Sequence, residues 1–313
     1  MAFRSPITDH GGRDDLRGLS LCAGYAGLDL GIHIAEPRYR TVCYVEREAH
    51  AAATLVARME DQALAPAPVW DDLKSFDGKP WCGRIHILSA GYPCQPFSLA
   101  GKRRGKRDPR HLWPDVERII DEVRPRAVFA ENVEGHIDLG FAEVADSLRR
   151  LGFVAKAGLF TAREAGARHR RRRLFILAYA DGDRCGVYAR PDGGRGDDPA
   201  DIALLHGGNE LGAIQPEQCG AGVDAAVADN ACHGLGASDD APLFAPGPGE
   251  LQLWRGLLDR RPDLQPAILR PRDGMADRLD RTRGAGNGVC SMAAALAWRT
   301  LDAAHAADGR RPW

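Results

Sequence analysis

Hydrophobic and polar positions along this chain switch repeatedly between two periods. Compact apolar runs at Leu19–Cys22, in "TVCYVE", "IHILSAG", "RAVFAENV" and "RRLFILAYA" read as strands. Between them the apolar residues take helical spacing. Leu28, Leu30, Ile32 and Ile34 follow a glycine-containing turn, and "REAHAAATLVARM" is a helix. In "DVERIIDEVRP", Val116, Ile119, Ile120 and Val123 stand at i, i+3, i+4 and i+7. "FAEVADSLRRLGF" is a helix stopped by Gly152. Strands alternating with helices predict an α/β fold, a mostly parallel sheet covered by helices on both faces. Ligands bind such sheets at the carboxyl ends of the strands. Gly24, Glu46, Cys94 and Glu131 all fall at such ends, so four groups should converge on one rim.

The pattern fades after Asp181. Residues 181–250 are rich in Gly, Asp, Pro and Ala and carry little periodicity, as expected for a small irregular domain or a long insertion. Order returns with "LQLWRGLLD" and with a C-terminal helix in "GNGVCSMAAALAWRTLDAAH", whose apolar side should carry Met292, Leu296 and Leu301. Cys185, His206, Cys219, Cys232 and His233 lie in the irregular stretch without a C-x-x-C pair, so no metal is expected there.

Composition adds bounds. A chain of 313 residues can bury a sizeable core, and 44% hydrophobic with 27% charged residues is ordinary for a soluble globular protein. The formal net charge of −1 is uninformative, but its distribution is not. "GKRRGKR" and "RHRRRR" are dense basic runs, and a local patch suffices to steer a polyanion. The N-terminus is polar, and no stretch has the roughly 18 consecutive apolar residues of a membrane span. The eight cysteines form no framework, which points to reduced thiols in the cytoplasm.

Candidate chemistry centres on "GYPCQPFS". Pro93 fixes the backbone before Cys94, Gln95 and Ser98 supply polar groups, and the lysines and arginines that follow favour thiolate. Glu131 ends a neighbouring apolar strand, where partial desolvation would raise its pKa and let it donate a proton. With arginines from "RHRRRR", these groups suit attack on an electron-poor heteroaromatic ring. "CAGYAG" after the first strand fits close approach to a nucleotide-like ligand and a plain tight turn equally well. Glu46, about 20 positions on, stands where a ribose would be gripped. The turn lacks the full G-x-G-x-x-G, which suits a cofactor with ribose but no pyrophosphate, such as S-adenosylmethionine.

Taken in order, "LCAGYAG", "GYPCQPFS", "ENV", "RHRRRR" and "GNGV" resemble the DNA cytosine-5 methyltransferases, in particular their small bacterial and phage-borne members. The resemblance spans about residues 18–180 and 268–301. It implies a Rossmann-like S-adenosylmethionine-dependent methyltransferase sheet over residues 1–180, an inserted target-recognition region over 181–267, and a segment over 268–313 that rejoins the catalytic domain. It implies that Cys94 adds to carbon 6 of a flipped-out cytosine. Glu131 would contact ring N3 and the exocyclic amine, Arg173 the cytosine O2, and Arg171 would orient the thiolate. Cys22, Ala23, Gly24, Tyr25, Ala26, Gly27, Glu46, Arg47, Asp72, Leu73, Pro93, Leu112, Asn287 and Val289 would surround the cofactor. Gln95, Ser98, Lys102, Arg103, Arg104 and Lys106 would meet DNA.

Some positions depart from the family pattern. It has an aromatic where Cys22 stands, Gly at Ala26, a tryptophan at Arg47 and a glutamine at His169. The implied partner is double-stranded DNA, with a cognate restriction endonuclease as a candidate second partner, no membrane, and a monomeric state. An RNA (tRNA) cytosine-5 methyltransferase and a non-catalytic DNA-binding relative are the alternatives; intact Cys94, Glu131 and Arg173 argue against the latter.

Overall fold

The computed structural model describes residues 15–93, 112–167, 169–181, 204–206, 251–260, 287–310 and 312–313. The first half runs β1 (Leu16–Leu21), α1 (Gly27–Ala35), β2 (Tyr39–Val45), α2 (Ala49–Glu60), β3 (Val69–Trp70), β4 (Ile87–Ala90), α3 (Trp113–Val123) and β5 (Ala127–Val133). Then come α4 (His136–Leu139), α5 (Phe141–Arg150), β6 (Phe153–Thr161), β7 (Arg172–Ala180) and β8 (Leu204–His206). The last described helices are α6 (Leu251–Arg260) and α7 (Ser291–Ala307).

The strands form one sheet in the order β3-β2-β1-β4-β5-β7-β6-β8. β1 pairs in parallel with both β2 and β4, and strand order reverses there. The crevice at that reversal is where an α/β sheet takes its ligand. The central strands read as unbroken apolar runs because both faces are covered. Every residue of β4 is buried, as is β5 through Asn132. On one face α3 packs through Trp113, Val116, Ile119, Ile120 and Val123, with α5 beside it. On the other, Leu28 and Ile32 of α1 meet Ala294, Ala297, Trp298 and Leu301 of α7.

A polar knot holds the β1/β4 crevice in register. Ser20 and Ser89 face each other across that pair, and both hydroxyls donate to the carboxylate of Asp29 on α1 at 2.7 Å. The Tyr39 hydroxyl donates to the same carboxylate at 2.7 Å. Asp29 is buried with these partners, as an isolated buried carboxylate could not be. It ties α1, β1, β2 and β4 together directly below the rim.

The sheet is mostly parallel, as the alternation of strands and helices predicts; among the described strands β7 runs antiparallel to its neighbours β5 and β6. β6 itself went unread because Lys156 and Gly158 interrupt its apolar run; Lys156 leaves the sheet to pair with Asp308 at 2.7 Å. The buried side of α7 is Ala294, Ala297, Trp298, Leu301 and His305, while Met292 and Leu296 are only half-buried. The cause is close approach to α1, where a side chain at Gly31 would overlap Ala294. Within 181–267, Leu204–His206 adds β8 to the sheet edge beside β6, so part of this stretch joins the main sheet.

Candidate active site

The turn after β1 is tightly wound. Cys22, Gly24 and Ala26 all have left-handed backbone, with φ of 52, 55 and 58°. Only Gly24 adopts this without steric cost. Ala26 is fully buried, so the methyl group there is accommodated against its conformational preference. A Cβ at Gly24 would meet nothing within 4 Å, so this backbone faces open space. Glu46, one residue past β2, closes the turn: its Oε2 accepts from the Gly24 N–H and its Oε1 from the Glu48 N–H, both at 2.7 Å.

The other residues expected around this crevice lie as follows. Ala23 is buried, Tyr25 sits edge-on to His50 at 6.2 Å, and Arg47 is exposed. Asp72 Oδ1 accepts from the Lys74 N–H at 3.1 Å, and Leu73 is buried in the core. Leu112 caps α3 and packs on the same core; Pro93 is exposed. Gly27 approaches Val289 so closely that a Cβ would stand 2.5 Å from the Val289 carbonyl oxygen. Asn287 is exposed. Burial pushes the Cys22 thiol up to about 12, with the carboxylates of Glu46 and Asp115 adding to the effect, so Cys22 stays a thiol at neutral pH.

The residues at this turn fit a ribose-bearing cofactor: acceptors on Glu46 beside an open Gly24 backbone. A carboxylate offers about four acceptor positions, and two on Glu46 are taken by backbone N–H groups. The others can accept from a vicinal diol beside the open Gly24 backbone.

The second cluster lies on the antiparallel part of the sheet. Glu131 on β5 is buried, and its Oε1 pairs with Arg173 Nε at 3.0 Å. β5 and β7 bring them side by side, in a register that sets Glu131 opposite Phe175 and Val133 opposite Arg173. Burial raises the Glu131 carboxyl to about 7, against the pull of Arg173 and then Arg171. Desolvation therefore outweighs the ion pair. Arg171 has left-handed backbone, φ 29°, and its guanidinium donates to the Gly288 carbonyl. Contacts thus run from Gly27 through Val289 and Gly288 to Arg171, and the charges of Arg173 and Arg171 both act on Glu131. His169 is exposed, and Arg172 pairs with Glu134 at 2.7 Å.

Cys94, Gln95, Ser98, Lys102, Arg103, Arg104 and Lys106 lie outside the described residues. So do Cys185, Cys219, Cys232 and His233. Among the described residues no group of three His, Cys, Asp or Glu side chains could hold a metal ion, and no helix is long and apolar enough to cross a membrane.

Asn132 is a site residue that the sequence reading passed over. It is buried; its Nδ2 donates to the Tyr92 carbonyl at 3.4 Å and its Oδ1 accepts from the Val133 N–H at 2.9 Å. Its place in "ENV" was visible, but its reach to the "GYPCQ" segment needs the β4/β5 pairing.

Comparison with known proteins agrees with this geometry. The family model for C-5 cytosine-specific DNA methylase matches residues 16–191. The Type II methyltransferase M.NgoMIV of Neisseria gonorrhoeae is 33% identical over 164 residues, covering 51% of this chain and 50% of that protein. The Type II methyltransferase M.NaeI of Lentzea aerocolonigenes is 33% identical over 164 residues, covering 51% of this chain and 39% of that one. The chain thus spans half the length or less of these curated relatives. Among solved structures, the S. pombe Dnmt2 methyltransferase superposes with a TM-score of 0.45 at 21% identity, over 54% of this chain and 52% of its own.

Proposed function

For a chain that belongs to the C-5 cytosine-specific DNA methylase family, we propose transfer of a methyl group to carbon 5 of a flipped-out cytosine in double-stranded DNA. The observation that carries the reading is Glu131, a buried carboxyl on β5, the strand next to the one that leads into "GYPC", ion-paired with Arg173 on β7.

Cys94 is the nucleophile: its Sγ bonds to carbon 6 of the ring. Glu131 in its protonated form donates to ring N3, which draws electrons through the ring and makes carbon 6 electrophilic. Arg173 holds the Glu131 carboxyl in place and offers its remaining N–H groups to the cytosine O2. Arg171 braces the 287–290 segment against the β1 turn. S-adenosylmethionine, when bound, would supply an electrophilic methyl group, with Glu46 accepting its ribose hydroxyls beside the Gly24 backbone. Carbon 5, made electron-rich by the addition, would take that methyl group and leave the cofactor as its neutral thioether. Loss of the carbon 5 proton to water would then re-form the C5–C6 double bond, break the Sγ–C6 bond and return Cys94 as thiolate.

In this reading residues 1–180 and 268–313 form the catalytic domain, residues 181–267 contribute target recognition, and the protein acts as a cytoplasmic monomer. A cognate restriction endonuclease would be its further partner. The test is transfer of labelled methyl from S-adenosylmethionine. Label at cytosine carbon 5 in duplex DNA is expected. Label in RNA alone, or none in either, would overturn the reading.

Two expected results bear on binding. Glu46→Ala should weaken S-adenosylmethionine binding by on the order of 1.5–3 kcal/mol, the worth of hydrogen bonds to a charged group, and slow the chemical step less. Glu46→Gln, which keeps an acceptor for the Gly24 N–H, should lose less. Calorimetry showing unchanged affinity for Glu46→Ala would remove Glu46 from the pocket. Replacing Arg103, Arg104 and Lys106 with alanine should weaken binding to all DNA sequences alike. Each lost phosphate contact should lower the log–log salt slope by roughly 0.9. A wild-type slope in the triple variant would mean that these side chains do not grip phosphates.

A further inference from the structure

Tyr92 stands two residues before Cys94 and is locked on several sides. Its hydroxyl hydrogen-bonds His136 Nε2 at 2.9 Å. Its ring lies 5.0 Å from that of Trp113 and, edge-on, 5.5 Å from that of His136. Its carbonyl accepts from Asn132. His136 is itself buried, and Gly140 makes room for it: a Cβ there would stand 2.5 Å from the imidazole Cε1. Trp113 is fixed in turn, since its Nε1 donates to Ser147 Oγ at 2.7 Å and Ser147 Oγ donates to the Glu143 carbonyl at 2.6 Å. Side chains from α3 and α4 therefore converge on one residue of the chain entering the nucleophile segment, with α5 holding Trp113 from behind.

Packing alone does not call for a hydroxyl and an imidazole here. Two apolar rings would fill the same volume with no polar atoms to satisfy. Apolar rings can slide, however, and a small cleft lined by Pro93 and Val144 among others lies beside the pair. A buried hydrogen bond is directional and sets the ring's height and tilt. Pro93 follows at once, and its fixed φ carries that setting toward Cys94.

We propose that the Tyr92–His136 hydrogen bond, which joins the segment before Cys94 to helix α4, makes these two side chains positioning residues for the nucleophile. The proposal rests on the reading of Cys94 given above. Neither side chain touches substrate or the reacting atoms; they act through the backbone of Tyr92 and Pro93.

Tyr92→Phe removes one oxygen and keeps the ring. It should lower kcat roughly ten- to hundred-fold, the scale on which small misplacements of a reacting group act, with KM for DNA and for S-adenosylmethionine unchanged. Tyr92→Phe/His136→Phe removes both polar partners of this bond. It should therefore recover part of the stability lost in Tyr92→Phe while kcat stays low. If kcat returns with stability, or never falls in Tyr92→Phe, the pair is a core contact only and the proposal fails.

A second measurement needs no turnover. Alkylation of Cys94 by iodoacetamide, followed by peptide mass spectrometry, should change at least about three-fold in both variants, because thiol reactivity tracks local environment. The exposed Cys82 serves as the internal reference. An unchanged Cys94 rate would overturn the proposal. A wild-type protein that transfers no methyl group would instead sink the proposed function, and the alkylation rates would still decide whether the pair sets Cys94.

Discussion

Cys94→Ser should reduce methyl transfer by at least about three orders of magnitude while leaving DNA binding nearly intact. A cysteine near its ordinary pKa is already a few per cent thiolate at pH 7 and intrinsically nucleophilic, whereas a serine hydroxyl needs a separate base. The structure sharpens the choice of cysteine. Cys22 lies in the same region, but burial and two carboxylates hold its thiol near 12. Cys43 is buried, and burial holds it near 11. Neither can supply a thiolate at neutral pH. Duplex DNA carrying 5-fluorocytosine at the target should accumulate as a covalent complex with the wild-type protein, because the fluorine at carbon 5 cannot leave as a proton. Peptide mapping should find the adduct on Cys94. An adduct on another residue, or near wild-type turnover by Cys94→Ser, would remove Cys94 from the mechanism.

Much of this site was legible from residue types, and the reason is physical. A strand end in a parallel sheet is both an apolar run and a place for a polar group, so Gly24, Glu46 and Glu131 announced themselves by position. Glu131 and Arg173 were each singled out, but their ion pair shows only once β5 and β7 lie side by side. What stayed hidden depends on contacts between distant segments. Asp29 sits in the helical run after the β1 turn and looks like a surface acid; only the pairing of β1 with β4 brings Ser20 and Ser89 onto it. Tyr92 and His136 each read as ordinary core or loop residues. Their bond appears once α4 folds back against the chain leaving β4. Similarly, Arg171 was expected to face the nucleophile, and its described partner is the carbonyl of Gly288. β6 was missed because one lysine and one glycine erased its period.

Glu131→Gln should cost roughly 10²–10⁴ in the rate of methyl transfer, the usual worth of a positioned general acid, and should change the pH profile as well. In the wild-type protein the Glu131 carboxyl titrates near 7, well above its ordinary 4.5, because burial penalises the charged form more than Arg173 and Arg171 favour it. Proton donation therefore fades as pH rises through about 7, and its share of the kcat/KM profile is a falling alkaline limb. Glutamine cannot titrate, so the falling limb should vanish in Glu131→Gln. Stability should follow the same group. With its folded pKa raised, Glu131 contributes stability that is fully present below about 4.5 and lost as pH rises through about 7. Relative to wild type, Glu131→Gln should accordingly gain on the order of 2–3 kcal/mol between pH 4.5 and 8. Arg173→Ala removes the larger of the two stabilising charges. It should shift the alkaline limb upward and deepen the stability loss at high pH. Urea melts and pH–rate curves on the wild-type protein and the two variants check each sign. A Glu131→Gln protein that keeps both the alkaline limb and the wild-type stability slope would show that Glu131 is ionised throughout and donates no proton.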